Sequence, residues 1–315
     1  MKDLDNLLPL KPEGKGSKKI QNRGKSFGYQ ILGFGSGAGA VTAFATDFLV
    51  VAGGGAGGDY NHGAGAGAGG FRTSAGPSGG GASAECSITL NSGITYTVTV
   101  GPGGAAQTSG CLSSVAGSDI TTISSAGGGR GAWSSSSTGQ PGGSGGAING
   151  SGTACQGYDG GTAGGSIPHN YPQGGGGGAS EAGANGAGTT GGKGGDGVSS
   201  SISGCAVTYG GGGGGGTYKH QATTGTPGAG GAGGGGNGSY GQAQAGTANT
   251  GGGGGGGERC GTPTHAGGVG GSGIVFLRYP SGMEATIAPG TNTIGCAPGG
   301  NKVATFTVTG TLAVA

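Results

Sequence analysis

Of 315 residues, 95 are glycine, while aromatics make up 5% and charged side chains 8%. An apolar share of 31%, much of it alanine, excludes a conventional side-chain core filling a chain of this length. A net charge of +2, with almost no charge through the middle, also excludes the charge-rich composition of ordinary disordered tracts, which leaves order carried by the backbone itself.

Residues 1–26 are a basic arm, in which Lys2, Lys11, Lys15, Lys18, Lys19, Arg23 and Lys25 outnumber Asp3, Asp5 and Glu13. It reads either as a solvated tail or as an anchoring arm that orders on a partner subunit. No second basic patch accompanies it, so nucleic-acid binding is not expected. The first ten residues carry acids and Pro9 where a secretion signal needs an unbroken apolar stretch. The longest apolar stretch, Phe48 to Ala52, is far too short to span a bilayer, so membrane insertion is not expected.

Residues 27–126 read as a β-rich base with the start of a glycine-rich region. Phe27–Phe34, Val41–Phe44 and Asp47–Val51 are predicted strands, β-branched and aromatic and bounded by glycine. Cys86–Leu90 and Ile94–Val100 alternate strictly around Asn91-Ser92-Gly93, which predicts a hairpin. Asp119–Ser124 is a weaker strand.

Residues 127–273 alternate glycine runs, such as Gly174–Gly178, Gly210–Gly216, Gly233–Gly236 and Gly251–Gly257, with polar inserts. That pattern predicts a bundle of polyproline-II helices joined by surface loops. Such a helix has no internal hydrogen bonds, so its N–H and C=O groups are free to pair with neighbours, and only glycine permits close approach. Collagen is excluded, because a strict Gly-X-Y period is missing and prolines number only 12. Residues 274–315 supply a closing strand, Ile274–Tyr279, and a C-terminal β-hairpin from Val303–Thr309 and Leu312–Val314. The predicted fold class is all-β: a β-sandwich-like base carrying a glycine-rich polyproline-II bundle with long surface loops and essentially no α-helix.

Three stretches, in order, carry a resemblance. Asp47-Phe48-Leu49-Val50-Val51-Ala52-Gly53-Gly54-Gly55-Ala56-Gly57-Gly58, Tyr96-Thr97-Val98-Thr99-Val100-Gly101-Pro102-Gly103-Gly104 and Gly270-Gly271-Ser272-Gly273-Ile274-Val275-Phe276-Leu277-Arg278-Tyr279-Pro280 resemble the landmarks of the glycine-rich domain in tailed-phage fibre and adhesin proteins. The resemblance implies a virion protein whose loops between glycine runs contact a host outer-membrane protein or glycan. Attachment to fibre shaft, tail or capsid proteins would run through the N-terminal arm, with homo-oligomerisation left open. Phe306–Leu312 resembles the strand that usually precedes the opening motif, which implies either exchange with a neighbouring copy or an added hairpin.

No catalytic constellation emerges, and neither an enzyme nor a cofactor is expected. GxGxxG matches are inevitable at this glycine content, and Asp59, Asp119, Asp159 and Asp196 are isolated in sequence. The six cysteines, Cys86, Cys111, Cys155, Cys205, Cys260 and Cys296, form no CxxC pair, so no metal site is expected, while disulfides and free thiols both stay open. The candidate receptor-binding residues are the aromatic and polar side chains of the inserts: Arg130, Trp133, Tyr158, His169, Tyr171, Tyr218, Lys219, His220, Tyr240, Arg259 and His265. Phe71, Arg72 and Trp133 have the strongest claim to a structural role instead. Three readings follow: a receptor-binding fibre or adhesin subunit on the virion, a structural or decoration protein of the virion, or a non-viral extracellular glycine-rich scaffold.

Overall fold

The only long apolar run in the sequence marks the strand on which the fold is built. In the computed structural model, which describes residues 41–59, 63–134, 137–165, 171–217, 219–220, 223–257 and 267–315, it lies in strand β1 (Ala43–Val51). The basic arm and the predicted strand Phe27–Phe34 lie outside the described residues. The chain divides at Thr42, and the unit described here runs from Ala43 to Ala315. Strands are numbered in chain order, and among the described residues there is no α-helix.

β1 sits inside one sheet. One edge pairs with β11 (Ile274–Pro280); the other takes β3 (Ile88–Asn91) and then β2 (Phe71–Thr73). β14 (Asn301–Phe306) lies beyond β11, and β13 (Thr293–Ala297) closes that side. A second sheet has the order β12-β15-β4-β5-β6, built from Ala285–Ala288, Gly310–Val314, Thr95–Thr99, Ser113–Gly117 and Ile120–Ser125. Between the sheets lies one apolar core holding Phe48, Val50, Leu90, Tyr96, Val98, Val275, Leu277, Phe306 and Leu312. The alternate residues Leu49, Val51, Ile274 and Phe276 face the other way. They are covered by the hairpin of β7 (Val198–Ser200) and β8 (Val207–Tyr209), where Tyr209 meets Phe276 edge-on. An unbroken apolar strand is thus buried on both faces, which is why it does not alternate.

Two predicted hairpins are not hairpins. β3 and β4 flank a tight turn with Gly93 at φ 82, yet β3 pairs with β1 while β4 pairs with β15 and β5. The chain crosses from one sheet to the other, so Leu90 and Tyr96 meet through side chains in the core. Alternation records which side of a strand is buried and is blind to which backbone pairs with it. Tyr96 secures this crossing. Its hydroxyl donates to Asp119 Oδ2 at 2.6 Å and accepts from the Asn91 N–H at 2.7 Å, and burial followed by Asp119 pushes its pKa up to about 12. Likewise β14 and β15 are joined by a turn but lie in different sheets, each paired within this same chain.

Asp47 and Arg278 are cross-strand partners at 2.7 Å. Burial opposes the Asp47 charge, but Arg278, Ser87 and Ser74 outweigh it and hold the pKa below 3.8. A depressed carboxylate adds stability that is complete above its unfolded pKa and is lost as pH falls through the folded one. Asp47→Asn is therefore expected to lower the melting temperature at pH 7 and to flatten its fall below pH 4. Parallel melting curves for both proteins at pH 7 and pH 3 check this; equal acid losses would remove Asp47 from the account.

The glycine-rich part leaves β1 at Val51, runs out to Asp59 and returns as Gly63–Gly70 into β2. Gly53 and Ala56 donate backbone hydrogen bonds to Cys111 and Thr108, Gly54 and Gly57 to Gly271 and Gly268, and Gly55 and Gly58 to Gly67 and Ala64, all at 2.9–3.0 Å. Every third residue faces the same neighbour, and each neighbour also steps by three. That is the three-residue repeat of the polyproline-II helix, read directly from hydrogen bonds.

The run Gly210–Gly216 shows how densely such helices pack. It is hydrogen-bonded to six surrounding segments, at 63–66, 173–179, 192–195, 228–231, 233–236 and 250–256. A methyl group built on Gly213 would overlap the carbonyl oxygen of Gly254, so the spacing is one that only glycine permits. In this half of the molecule main-chain pairing takes the place of a side-chain core.

Candidate functional site: the free end of the bundle

The hydrogen-bond register fixes which turns lie together. Gly58 pairs with Ala64, Ala64 with Ala132, Gly65 with Gly174, Gly216 with Gly63, and Gly257 with Gly58. Asp59, Trp133, Gln173, Thr217 and Gly257 therefore reach one level. Ser239, bonded to Gly256 O, brings Tyr240 to it as well. This level is the end remote from the sandwich, about 22 Å along a seven-residue run at 3.1 Å per residue. At the opposite end Ala179 joins Leu49, Val51 and Phe71 of the sandwich in one apolar cluster, and Gly233 lies against the backbone of Tyr209 in β8.

Of the candidate residues, Trp133 and Tyr171 stand at the free end and are exposed, at 37% and 40%. Trp133 is anchored by its main chain, whose N–H donates to Ser137 Oγ at 2.9 Å. Lys219 and His220 form β9 (Lys219–His220), paired with β10 (Thr223–Thr224) in the loop after Thr217. Tyr240 is half-buried in the turn following Ser239. His169, Tyr218, Arg259 and His265 lie outside the described residues.

Two candidates belong elsewhere. Tyr158 lies at the sandwich end: its N–H bonds Gly178 O, and its hydroxyl lies against Gly81. Arg130 sits within the run 126–132, half-buried, with its N–H donating to Ser109 Oγ. Of the residues read as structural, Phe71 is fully buried, and Arg72 clamps the sheets, gripping both carboxylate oxygens of Glu85 and donating to Ser124 O at 2.9 Å. The exposed ring of Trp133 separates it from that pair.

A family model described as a glycine-rich domain matches residues 36–280. The chain belongs to that family. A search of curated proteins found no match. The matched span of the glycine-rich domain covers the bundle together with β1–β11, and the strands after Pro280 lie outside it.

A polar feature of the glycine-rich domain escaped sequence reading. Gln107, in the left-handed region at φ 60, reaches the free end and donates through Nε2 to both carboxylate oxygens of Asp59, at 2.8 and 3.1 Å. The two residues are 48 positions apart in unremarkable glycine-rich sequence, and nothing local signals the contact. Asp59 is representative, since each described carboxylate already has a donor. Asp47 has Arg278, Glu85 has Arg72, Asp119 has Tyr96, Asp159 has the Gly152 N–H, Asp196 and Glu181 share Lys193, and Glu284 has Lys302.

The sandwich itself carries a groove of about 470 Å³ between β3 and β6, floored by Phe48, Ile88, Ile120 and Ile123. Its charged residues, Arg72, Glu85 and Asp119, are the same groups that clamp the sheets, which assigns them to stability. Cys86, Cys111, Cys155, Cys205 and Cys296 are free and exposed. Among the described residues no helix is long and apolar enough to cross a membrane.

Proposed function

We propose that this glycine-rich domain is a non-catalytic fibre or adhesin subunit of a virion, displaying receptor-binding loops at the free end of its bundle. The observation that carries this reading is the segregation of the molecule into two poles. β1 begins at Ala43, at the sandwich end remote from the bundle, which is one pole. The loops bearing Trp133, Tyr171, Lys219, His220 and Tyr240 gather at the other. A rigid spacer with an attachment pole and a recognition pole is the architecture a fibre tip requires. Exposed Trp and Tyr rings on loops held by a stiff scaffold offer large contact area at low entropic cost. The prior engagement of each described carboxylate supports recognition over hydrolysis.

The test is binding of fluorescently labelled protein to a panel of bacterial strains, wild type against Trp133→Ala and Tyr171→Ala. Truncation of a hot-spot ring costs more than about 1 kcal/mol, so each variant is expected to bind the recognised strain at least about 5–10-fold more weakly with unchanged melting temperature. Binding undiminished in both variants, or binding to no strain, would move the assignment to a virion structural protein without a receptor role.

A further inference from the structure

An asparagine followed by glycine is the pair in which a peptide chain rearranges without a catalyst. Glycine has no Cβ, so its backbone nitrogen can approach the amide carbon of the asparagine before it. The chain holds three such pairs, Asn149-Gly150, Asn185-Gly186 and Asn237-Gly238, and all three asparagines are exposed. Each glycine N–H is bonded within the bundle, to the carbonyls of Gly146, Thr162 and Gly228 at 3.1, 2.9 and 2.9 Å.

The asparagine side chains separate the three. Asn185 Oδ1 accepts from the Thr162 N–H at 2.8 Å, and Asn237 Oδ1 accepts from the Gly230 N–H at 2.7 Å. Asn149 makes no hydrogen bond, by side chain or main chain, with any described residue. Its backbone is also the least settled. Ile148 and Asn149 stand at φ 68 and 67, the one place among the described residues where two consecutive non-glycine residues are left-handed. For a β-branched residue such as Ile148 that conformation is strained, which lowers the cost of opening the turn.

We infer that Asn149 is the site at which the folded chain deamidates. The Gly150 nitrogen attacks Asn149 Cγ. The N–Cγ bond forms, the Cγ–Nδ2 bond breaks, and the Gly150 amide proton leaves with Nδ2 as ammonia. The five-membered imide then takes up one water. Opening at one carbonyl gives aspartate; opening at the other gives isoaspartate, with the main chain rerouted through the side chain. Either product carries a carboxylate that is ionised at neutral pH. Ala147 donates to Gly65 O and accepts from the Ala132 N–H, which sets this turn at the free end, next to the run that ends in Trp133. Ageing therefore adds a negative charge at that end. Asn185 and Asn237 must first give up a side-chain hydrogen bond, which slows each by about 2–12-fold. The reaction does not depend on what the free end binds.

The test is peptide mapping by mass spectrometry of the full chain, kept folded at mildly alkaline pH and sampled over weeks, with isoaspartate quantified by enzymatic methylation. A parallel sample in denaturant gives the rates of the unfolded chain. In the folded protein Asn149 is expected to convert several-fold ahead of Asn185 and Asn237, and in denaturant that lead is expected to vanish. Asn149→Gln, whose longer side chain closes no five-membered ring, is expected to lose the signal from this turn. Asn185 or Asn237 converting as fast as Asn149 in the folded protein, an Asn149 amide left intact while the denatured chain reacts, or an equal lead in both samples would each overturn the proposal.

Discussion

Gly213→Ala is expected to prevent the bundle from closing. The added methyl occupies the position of the Gly254 carbonyl oxygen, and both atoms belong to backbone, so no rotamer change relieves the overlap. Relief requires the 251–257 run to move away, which breaks the hydrogen bonds that its Gly253 and Gly256 make to Gly211 and Gly214. Those residues are among the ties holding the central helix to its neighbours, so the loss propagates. Several lost buried hydrogen bonds at about 1 kcal/mol each, added to the overlap, exceed about 4 kcal/mol, a large part of a domain's stability. Gly165→Ala is the matched control: nothing lies within 4 Å of the added methyl. Removing one glycine there is neutral to slightly stabilising, through the smaller entropy of the unfolded chain. Thermal unfolding with amide exchange across 210–257 separates the outcomes. A cooperatively folded Gly213→Ala protein melting close to wild type would show that glycine proximity does not hold the bundle together.

What the sequence reveals about this fold depends on which interaction builds each part. Where side chains do the work, the pattern is legible. Phe48–Val51 and Ile274–Tyr279 announce buried strands, and the glycine runs announce backbone packing because no other residue type tolerates it. Where main-chain partners decide, the pattern is silent. The alternation on both sides of Asn91–Gly93 is correct, yet the strands enter different sheets. β5, reading Ser-Ser-Val-Ala-Gly, and β13 have too few β-branched residues to stand out, although β5 is an inner strand.

The candidate site follows the same division. Inserts between glycine runs are readable as reversals of the chain, but reversals occur at both ends of a bundle, and composition does not say which. Tyr158 and Trp133 are both insert aromatics, and of the two the sequence favoured Trp133 as structural; the register of three-residue steps instead sends Tyr158 to the sandwich and Trp133 to the free end. The Asp59–Gln107 contact is likewise set by where two distant runs finish.

Deleting residues 281–315, which leaves the span matched by the glycine-rich domain, is expected to abolish folding. The removed segment is structurally interior. β14 covers the outer edge of β11 and places Ala304 and Phe306 in the core, while β15 pairs with β4 and brings in Leu312 and Val314. Without them the second sheet ends at β4, and the first loses the cover over one side of β11. Phe306 alone, fully buried, is worth about 3–5 kcal/mol on truncation to alanine, and Leu312 about 2–5. Together, at about 5–10 kcal/mol, they are comparable to the whole stability typical of a domain, about 5–15 kcal/mol. These strands pair within their own chain, so their positions are not filled by strands exchanged from a neighbouring copy. Near-UV circular dichroism and limited proteolysis of residues 1–280 should report an unfolded or aggregated chain, and adding a peptide of residues 281–315 in trans should restore the signal. A truncated protein that is folded and monomeric on its own would mean that the sandwich closes by another route and that the C-terminal strands are an addition to it.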